Sequence, residues 1–222
     1  MKAILFDLDN TLYGEKTYVE SGFKEISRYL AQHFNLDFEE VYCKTLEIFN
    51  KEGRGKVFDL LLKEYDLNSD KNIMTLVYAY RNHLPEISLY EGTQDVLAKL
   101  KKNHKLGLIT DGQVIAQKRK VEALNLEKYF DTIIFTDILG SEFWKPSKMP
   151  YLIALNNLKS SPQEAIYIGD DPYKDFKAPK ELEMKTIQIK KEDEMDYWKK
   201  RGYERFEADK TINNLEEILE VI

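Results

Sequence analysis

The sequence has little cysteine and no long apolar run. Cys43 is the only cysteine among 222 residues, which excludes a disulfide within the chain and is typical of a reducing compartment. Because Cys43 lies in a helical pattern, we expect it to be a small core residue. No apolar stretch approaches the length of about eighteen residues that crosses a bilayer. The first strand begins almost at the N-terminus, so we expect no signal peptide and a soluble, cytoplasmic protein.

Histidine is also scarce, and the chain has no excess of positive charge. The three histidines, His33, His83 and His104, lack the spacing of metal ligands, which favours packing or surface roles. Acidic residues outnumber basic ones by 39 to 33, so the formal net charge is −6 and the pI is near 5.3. This balance argues against nucleic acid or an anionic membrane as the main partner. It still allows an anionic small substrate, because a metal ion and a few local cations reverse the field inside a pocket.

Hydrophobic residues make up 43% of the chain, enough for a proper core, and many of them occur in short, Ile-rich runs. These runs predict buried strands at residues 3–6, 106–110, 132–135, 165–168 and 186–189. From residue 89 onward they alternate with helical patterns at 93–102, 115–124 and 149–158. Thr93 is predicted to cap the first of these helices. The alternation indicates right-handed crossovers, and the predicted fold class is therefore α/β with a doubly wound parallel sheet.

The segment from residue 15 to residue 85 breaks this alternation. It has helical periodicity throughout, and no strand-like run interrupts it. The sequence therefore predicts an all-helical insertion, 15–85, in an α/β core formed by 1–14 and 86–222. A second departure is the charge-rich stretch 190–200, which is predicted to be solvated.

Polar residues follow the predicted strands where they end. Asp7 and Asp9 come directly after the first strand, and strand alternation places both side chains on one face. In an open α/β sheet ligands bind beyond the carboxyl ends of the strands. The same edge would receive Thr110, Asp111, Gly112, Lys145, Asp170, Asp171 and Asp175. Clustered carboxylates repel each other, and the repulsion is relieved either by a hard cation such as Mg²⁺ or by one carboxyl that stays neutral to handle protons.

These segments resemble the four ordered motifs of the haloacid dehalogenase-like hydrolase superfamily. They are Asp7-Leu8-Asp9-Asn10-Thr11, Leu108-Ile109-Thr110-Asp111-Gly112, Lys145-Pro146 followed by Tyr151, and Gly169-Asp170-Asp171 with Asp175. A helical segment directly after the first motif resembles the cap of the family's capped phosphatases. The resemblance implies a Rossmann-like core, and Mg²⁺-dependent hydrolysis of a small-molecule phosphate monoester through an aspartyl-phosphate.

The resemblance also implies a role for each residue. Asp7 would be the nucleophile, and Asp9 the general acid and then the base, which requires a raised pKa of the Asp9 carboxyl. The Asp7 side chain, the Asp9 backbone carbonyl and Asp170 would hold Mg²⁺. The implied substrate-binding residues are Thr110, Asp111, Gly112 and Lys145, of which Thr110 and Lys145 also count as catalytic. Asp171 or Asp175 would orient Lys145 or metal-bound water.

The sequence leaves alternatives open. Asp9 argues against the halide-removing and phosphonate-cleaving members of the superfamily, which lack a second aspartate. A phosphomutase acting on a sugar phosphate would keep both aspartates, although such enzymes more often have Gly where this chain has Thr11. A non-catalytic interaction module would need none of this set. Tyr13 either lines the pocket or packs near the insertion, and the physiological substrate and the oligomeric state stay open.

Overall fold

The computed structural model describes residues 2–191 and 204–222. The chain divides into two compact units, Met1–Glu15 with Ser88–Ile222, and Lys16–Ile87. The second unit begins one residue later and ends two residues later than the predicted insertion 15–85. Most of the charge-rich stretch 190–200 lies outside the described residues. No helix in the described part of the chain is both long enough and apolar enough to span a membrane.

The first unit is built on a parallel sheet, which confirms the predicted α/β fold. Its strands are β1 Ala3–Phe6, β2 Lys105–Thr110, β3 Thr132–Phe135, β4 Ala165–Gly169, β5 Lys185–Ile189 and β6 Lys210–Ile212. They lie in the order β3-β2-β1-β4-β5-β6, and every neighbouring pair is parallel. The chain therefore runs outward in both directions from β1, so the topological switch point, where ligands bind in such sheets, lies between β1 and β4.

The second unit is made of helices. They are α1 Glu15–Phe34, α2 Phe38–Glu52, α3 Val57–Glu64 and α4 Asp70–Asn82, of which α1 starts one residue before the unit. Asp37 caps α2 and Ser69 caps α4, each by accepting from the backbone N–H three residues on, at 2.9 and 3.2 Å. Phe23 on α1 packs edge-to-face on Phe49 of α2, with ring centroids 5.3 Å apart. The unit thus has an aromatic core of its own.

The remaining helices flank the sheet of the first unit. They are α5 Thr93–Lys101, α6 Val114–Ala123, α7 Met149–Leu158, α8 Lys177–Glu181 and α9 Ile218–Val221. The three helices predicted from residue 89 onward are present, each ending within one residue of its prediction. A buried cluster joins the sheet to α7, with Leu5, Ile109 and Tyr167 on the sheet and Tyr151 and Leu155 on α7. Phe176, directly before α8, belongs to the same cluster. This packing holds β1, β2 and β4 in a fixed register.

Two local predictions were wrong. Cys43 is exposed, because the buried face of α2 runs through Val41 and Thr45 and position 43 falls outside that stripe. Thr93 is the first helical residue of α5 and not its cap. The cap position belongs to Gly92, whose φ of 75° favours glycine and which has no side chain to cap the helix.

Candidate active site

Asp7 and Asp9 lie just beyond the end of β1, at the switch point of the sheet. The backbone N–H of Asp7 donates to the carbonyl of Ile168 on β4 at 2.8 Å, which fixes Asp7 at the strand end. Asn10, with a φ of 56°, then turns the chain, and its side chain accepts from the backbone N–H of Glu15 at 2.9 Å. Asp7 and Asp9 are 1% and 8% exposed, so both carboxyl groups are largely removed from water.

Lys145 joins Asp7 to the acidic loop that follows β4. Its buried ammonium donates to Asp7 Oδ1, to Asp175 Oδ1 at 2.8 Å and to the hydroxyl of Tyr167 at 3.1 Å. The same hydroxyl donates to Asp175 Oδ1 at 3.1 Å. Burial lowers the pKa of Lys145, but the two carboxylates outweigh burial and hold that pKa well above its usual value. Lys145 therefore stays a cation within the protein interior.

The two carboxyl groups that accept from Lys145, those of Asp7 and Asp175, differ in their ionisation. Burial raises the pKa of Asp7 to about 7, although Lys145 acts in the opposite direction. Burial also raises the pKa of Asp175, but Lys145 and Lys174 outweigh it and hold that pKa below its usual range. Asp175 is therefore the firmly charged partner of Lys145. Asp7 is poised between its acid and its anion, and a cation bound beside it would lower its pKa again.

Asp9 is held by a separate set of partners. Its Oδ1 accepts from Lys120 Nζ at 2.7 Å and from the Tyr13 hydroxyl at 2.5 Å, and its Oδ2 accepts from Gln117 Nε2 at 3.3 Å. Burial raises the pKa of Asp9, but the ion pair with Lys120 and the bond from Tyr13 outweigh burial and lower it. The prediction of a raised pKa for Asp9 is therefore wrong for this arrangement, because Lys120 compensates its charge.

Thr110 and Gly112 lie at the end of β2, around the side chain of Gln117 on α6. Thr110 Oγ1 donates to Gln117 Oε1 at 3.2 Å within the buried interior. Gly112 has a φ of 119°, and a Cβ at this position would lie 2.6 Å from Gln117 Nε2. Only glycine fits there without moving Gln117, so the glycine of the predicted second motif has a steric reason.

Asp111, predicted to bind substrate, makes its contacts with protein groups. Its Oδ1 accepts from Thr136 Oγ1 at 2.7 Å and from the backbone N–H of Lys145 at 3.2 Å. The carboxylate thus fastens the segment that carries Lys145 to the end of β2. A contact between Asp111 and substrate stays a prediction.

The loop after β4 supplies three aspartates. Asp170 is buried, and its backbone carbonyl accepts from Gln188 Nε2 on β5 at 2.9 Å. Asp171 Oδ1 accepts from the N–H of Tyr173 at 2.9 Å, and the N–H of Asp171 donates to Asp175 Oδ2 at 3.0 Å. Burial raises the pKa of Asp171. Of the two residues predicted to orient Lys145, Asp175 contacts it directly and Asp171 contacts Asp175.

A metal ion fits beside Asp7. One carboxylate oxygen from each of Asp7, Asp170 and Asp175 lies within 4.8 Å of the other two, and all three residues are buried. Asp7 Oδ2 is buried and has no hydrogen-bond partner among the described residues. Both oxygens of Asp175 already accept hydrogen bonds, which leaves Asp7 and Asp170 as the better ligands. The Asp9 backbone carbonyl stays a predicted ligand, since the Asp9 carboxylate is engaged elsewhere.

Several side chains of this site were not predicted from the sequence. They are Gln117, Lys120, Tyr167 and Lys174, together with Tyr13, for which two roles were left open. Gln117 and Lys120 lie three residues apart on the buried face of α6, beside apolar Ala116 and Val121. A polar pair on an otherwise apolar helix face, directly after a motif-bearing strand, is the signal that could have indicated them. His83, by contrast, belongs to the second unit, where its ring nitrogens form hydrogen bonds with the Tyr80 carbonyl at 2.6 Å and with Ser21 Oγ at 3.1 Å.

The chain is similar to known proteins along its whole length. The model of the family described as haloacid dehalogenase-like hydrolase matches residues 4–189. The glyceraldehyde 3-phosphate phosphatase of Methanocaldococcus jannaschii is 34% identical, over 100% of this chain and 97% of that protein, and the one of Pyrococcus furiosus is 33% identical, over 100% and 93%. A solved HAD phosphatase from Thermococcus onnurineus has a TM-score of 0.64 and 26% identity, over 100% of this chain and 97% of that one. The chain belongs to the haloacid dehalogenase-like hydrolase family.

Proposed function

We propose that this protein is a Mg²⁺-dependent phosphatase that hydrolyses a small-molecule phosphate monoester through an aspartyl-phosphate on Asp7. The observation that carries the proposal is the environment of Asp7. One of its oxygens is paired with Lys145, while the other is buried and accepts no hydrogen bond from the described residues. An oxygen in that condition is available to a cation or to an electrophilic phosphorus atom.

The reaction has two displacements at phosphorus. A carboxylate oxygen of Asp7 forms a bond to phosphorus while the ester P–O bond breaks, and its electron pair moves onto the leaving oxygen, which takes a proton from Asp9. The negative charge of the bound ester would raise the pKa of Asp9 from the low value set by Lys120, so that Asp9 carries this proton in the complex. Water then attacks phosphorus, gives its proton to Asp9, and the bond to Asp7 breaks with its electron pair returning to the carboxylate. The sum is ester plus water giving alcohol and phosphate, with both aspartates restored.

The other residues serve charge and position. Lys145 would neutralise negative charge on the transferring phosphoryl group, and Asp175 keeps the lysine in place. Thr110 would turn its one hydroxyl hydrogen from Gln117 Oε1 to a phosphoryl oxygen, with Asp111 and Gly112 shaping the same turn. Mg²⁺ held by Asp7, Asp170 and the Asp9 carbonyl would hold Asp7 ionised and offset the charge of the phosphate.

The substrate we propose is a three-carbon sugar phosphate such as glyceraldehyde 3-phosphate. The support is that two relatives that carry this activity in their names are 34% and 33% identical along the entire chain. The acidic protein would bind such an anion through the local cations of the site, as the net charge of −6 offers no general attraction. We further propose that the predicted helical insertion, 15–85, supplies the residues that select the leaving group, and that the protein acts in the cytoplasm.

Phosphate release tests the proposal. Purified protein is incubated with glyceraldehyde 3-phosphate, p-nitrophenyl phosphate and a panel of small phosphate esters, with Mg²⁺ or with EDTA. We expect release that needs Mg²⁺ and is abolished by Asp7→Asn, whereas Asp95→Asn, an exposed aspartate of α5, leaves it unchanged. Folded wild-type protein that releases no phosphate from any ester with Mg²⁺ would contradict the proposal. Isomerisation of a labelled sugar phosphate without phosphate release would instead indicate a phosphomutase.

A further inference from the structure

Lys120 is a buried lysine that the reaction as written does not use. It lies on α6 and is 3% exposed, with its ammonium 2.7 Å from Asp9 Oδ1 and 6.0 Å from the centre of the Tyr13 ring. Lysine is almost never buried this deeply unless it is paired, because removing its charge from water costs several kcal/mol. Placing this cation against Asp9 therefore lowers the stability that the fold would otherwise have.

Gln117, one helical turn before Lys120, contacts the other side of Asp9. Its Nε2 donates to Asp9 Oδ2 at 3.3 Å and to the carbonyl of Asp111 at 2.8 Å, while its Oε1 accepts from Thr110 at 3.2 Å. Gln117 therefore connects Asp9 to the end of β2, where the phosphoryl group is proposed to bind. Both side chains come from the same face of α6, so the helix acts as one rigid support for the Asp9 carboxylate.

The two oxygens of Asp9 are held unequally. Oδ1 accepts two short bonds, from Lys120 and from the Tyr13 hydroxyl, whereas Oδ2 accepts one long bond. Two short bonds to one oxygen fix the rotation of the carboxylate about its last side-chain torsion, which is otherwise broad and roughly two-fold. The loosely held oxygen, Oδ2, is then the one able to exchange a proton with a substrate.

We propose that Lys120, assisted by Gln117, is a positioning residue that anchors Asp9 Oδ1 and thereby presents Oδ2 to the leaving-group oxygen. The inference rests on the proposed function of Asp9 as proton donor. In the first displacement the O–H bond at Oδ2 breaks, its electron pair stays on the carboxylate, and the proton goes to the departing oxygen. Lys120 itself neither gives nor takes a proton and makes no contact with the reacting atoms.

A comparison of two leaving groups tests the role of Lys120. An alkyl phosphate, such as glyceraldehyde 3-phosphate, needs a proton on the departing oxygen, whereas p-nitrophenyl phosphate releases a stabilised phenolate that needs none. We expect Lys120→Met to lower kcat/KM for the alkyl phosphate by roughly 10–100-fold, the scale of a misplaced catalytic group, and for p-nitrophenyl phosphate by less than about threefold. Lys120→Arg should recover part of the loss, because it restores a charged donor to Oδ1.

Lys118→Met is the matched control, because Lys118 is exposed on the same helix and lies over Phe135, away from Asp9. Lys118→Met should leave kcat/KM unchanged for both substrates. Gln117→Met is a second variant in case Lys120→Met does not fold. It should also lower kcat/KM more for the alkyl phosphate than for p-nitrophenyl phosphate, but by smaller factors.

Each remaining outcome overturns the inference. An equal loss on both substrates would mean that the substitution damages the site generally. A rise in KM with unchanged kcat would mean that Lys120 binds the phosphate, and unchanged kinetics would mean that it has no part in the reaction. Wild-type protein that is inactive on both substrates would instead contradict the proposed function itself. The wild-type assay is carried out first and separates this outcome from the others.

Discussion

Removal of the Asp7 carboxylate should stabilise the protein when no divalent cation is bound. Burial raises the pKa of Asp7 from 3.8 to about 7, so the folded protein holds this proton more tightly than the unfolded chain does. The favourable contribution of such a group is complete below the unfolded pKa and is lost as pH rises through the folded pKa, here from about 4 to about 7. A shift of roughly three units at 1.36 kcal/mol each costs about 4 kcal/mol of unfolding free energy at pH 8.

Asp7→Asn removes this cost, because the amide cannot ionise and still offers an oxygen to Lys145. With EDTA present, we expect the variant to exceed wild type in unfolding free energy by up to about 4 kcal/mol at pH 8, and the difference to vanish toward pH 4. The assay is urea unfolding followed by circular dichroism between pH 4.5 and pH 8. Excess Mg²⁺ should reduce or reverse the advantage, since the ion binds only the folded wild-type protein.

Asp9→Asn is the control of opposite sign. The pKa of Asp9 is lowered, since Lys120 and Tyr13 outweigh burial, so its contribution is present above the ordinary pKa of an aspartate and is lost as pH falls through the lowered value. Asp9→Asn should therefore destabilise the protein at pH 8 by leaving Lys120 buried without its counter-charge. An Asp7→Asn variant that is as unstable as Asp9→Asn at pH 8 in EDTA would refute the reasoning.

Three further outcomes are expected. Asp175→Asn should lower the unfolding free energy by about 3 kcal/mol in urea titrations, because both Asp175 oxygens accept hydrogen bonds and an amide has one acceptor; a loss under about 1 kcal/mol would contradict this. Gly112→Ala should lower kcat at least tenfold with little change in far-ultraviolet circular dichroism, because its Cβ would displace Gln117, and unchanged kcat would remove the steric argument. Dialysis against EDTA should abolish phosphate release, and added Mg²⁺ should restore it, whereas activity that survives EDTA would argue against a metal ligand role for Asp7 and Asp170.

The residues at strand ends were predictable because strand alternation and the topology of a parallel sheet determine where they lie. Strand alternation continued past the end of β1 predicts Asp7 and Asp9 on one face, and a parallel sheet brings the ends of β1, β2 and β4 to one edge, so Thr110 and Asp170 follow without side-chain detail. Lys145 comes from a loop. Its position between the third and fourth strands predicted it at the same edge, and its pairing with Asp7 followed from the family resemblance.

The partners of Asp9 were not predictable in the same way. Gln117 and Lys120 reach the site from a helix. Helical periodicity indicates which face of α6 they lie on, but not how far their long side chains extend or which groups they contact. The direction of the pKa shift of Asp9 depends on Lys120, which was not predicted, so the shift was predicted with the wrong sign. The last strand was missed for a simpler reason, since of Lys210–Ile212 only Ile212 is buried and three residues carry no periodic signal.

The pairing of Lys120 and Lys145 with carboxylates supports the proposed binding of a divalent cation. Lys120 already compensates Asp9, and Lys145 is shared by Asp7 and Asp175. Lys145 would share its charge with a phosphate ester that entered, but the two lysines could neutralise the ester fully only if they left their carboxylates, which would leave uncompensated negative charge in the interior. A cation between Asp7 and Asp170 adds positive charge without breaking either pair, and it lowers the pKa of Asp7 in the same step. In the proposed reaction the acid–anion balance of Asp7 would make its nucleophilicity depend on the metal, whereas the ion pair with Lys120 would keep the ionisation of Asp9 independent of it.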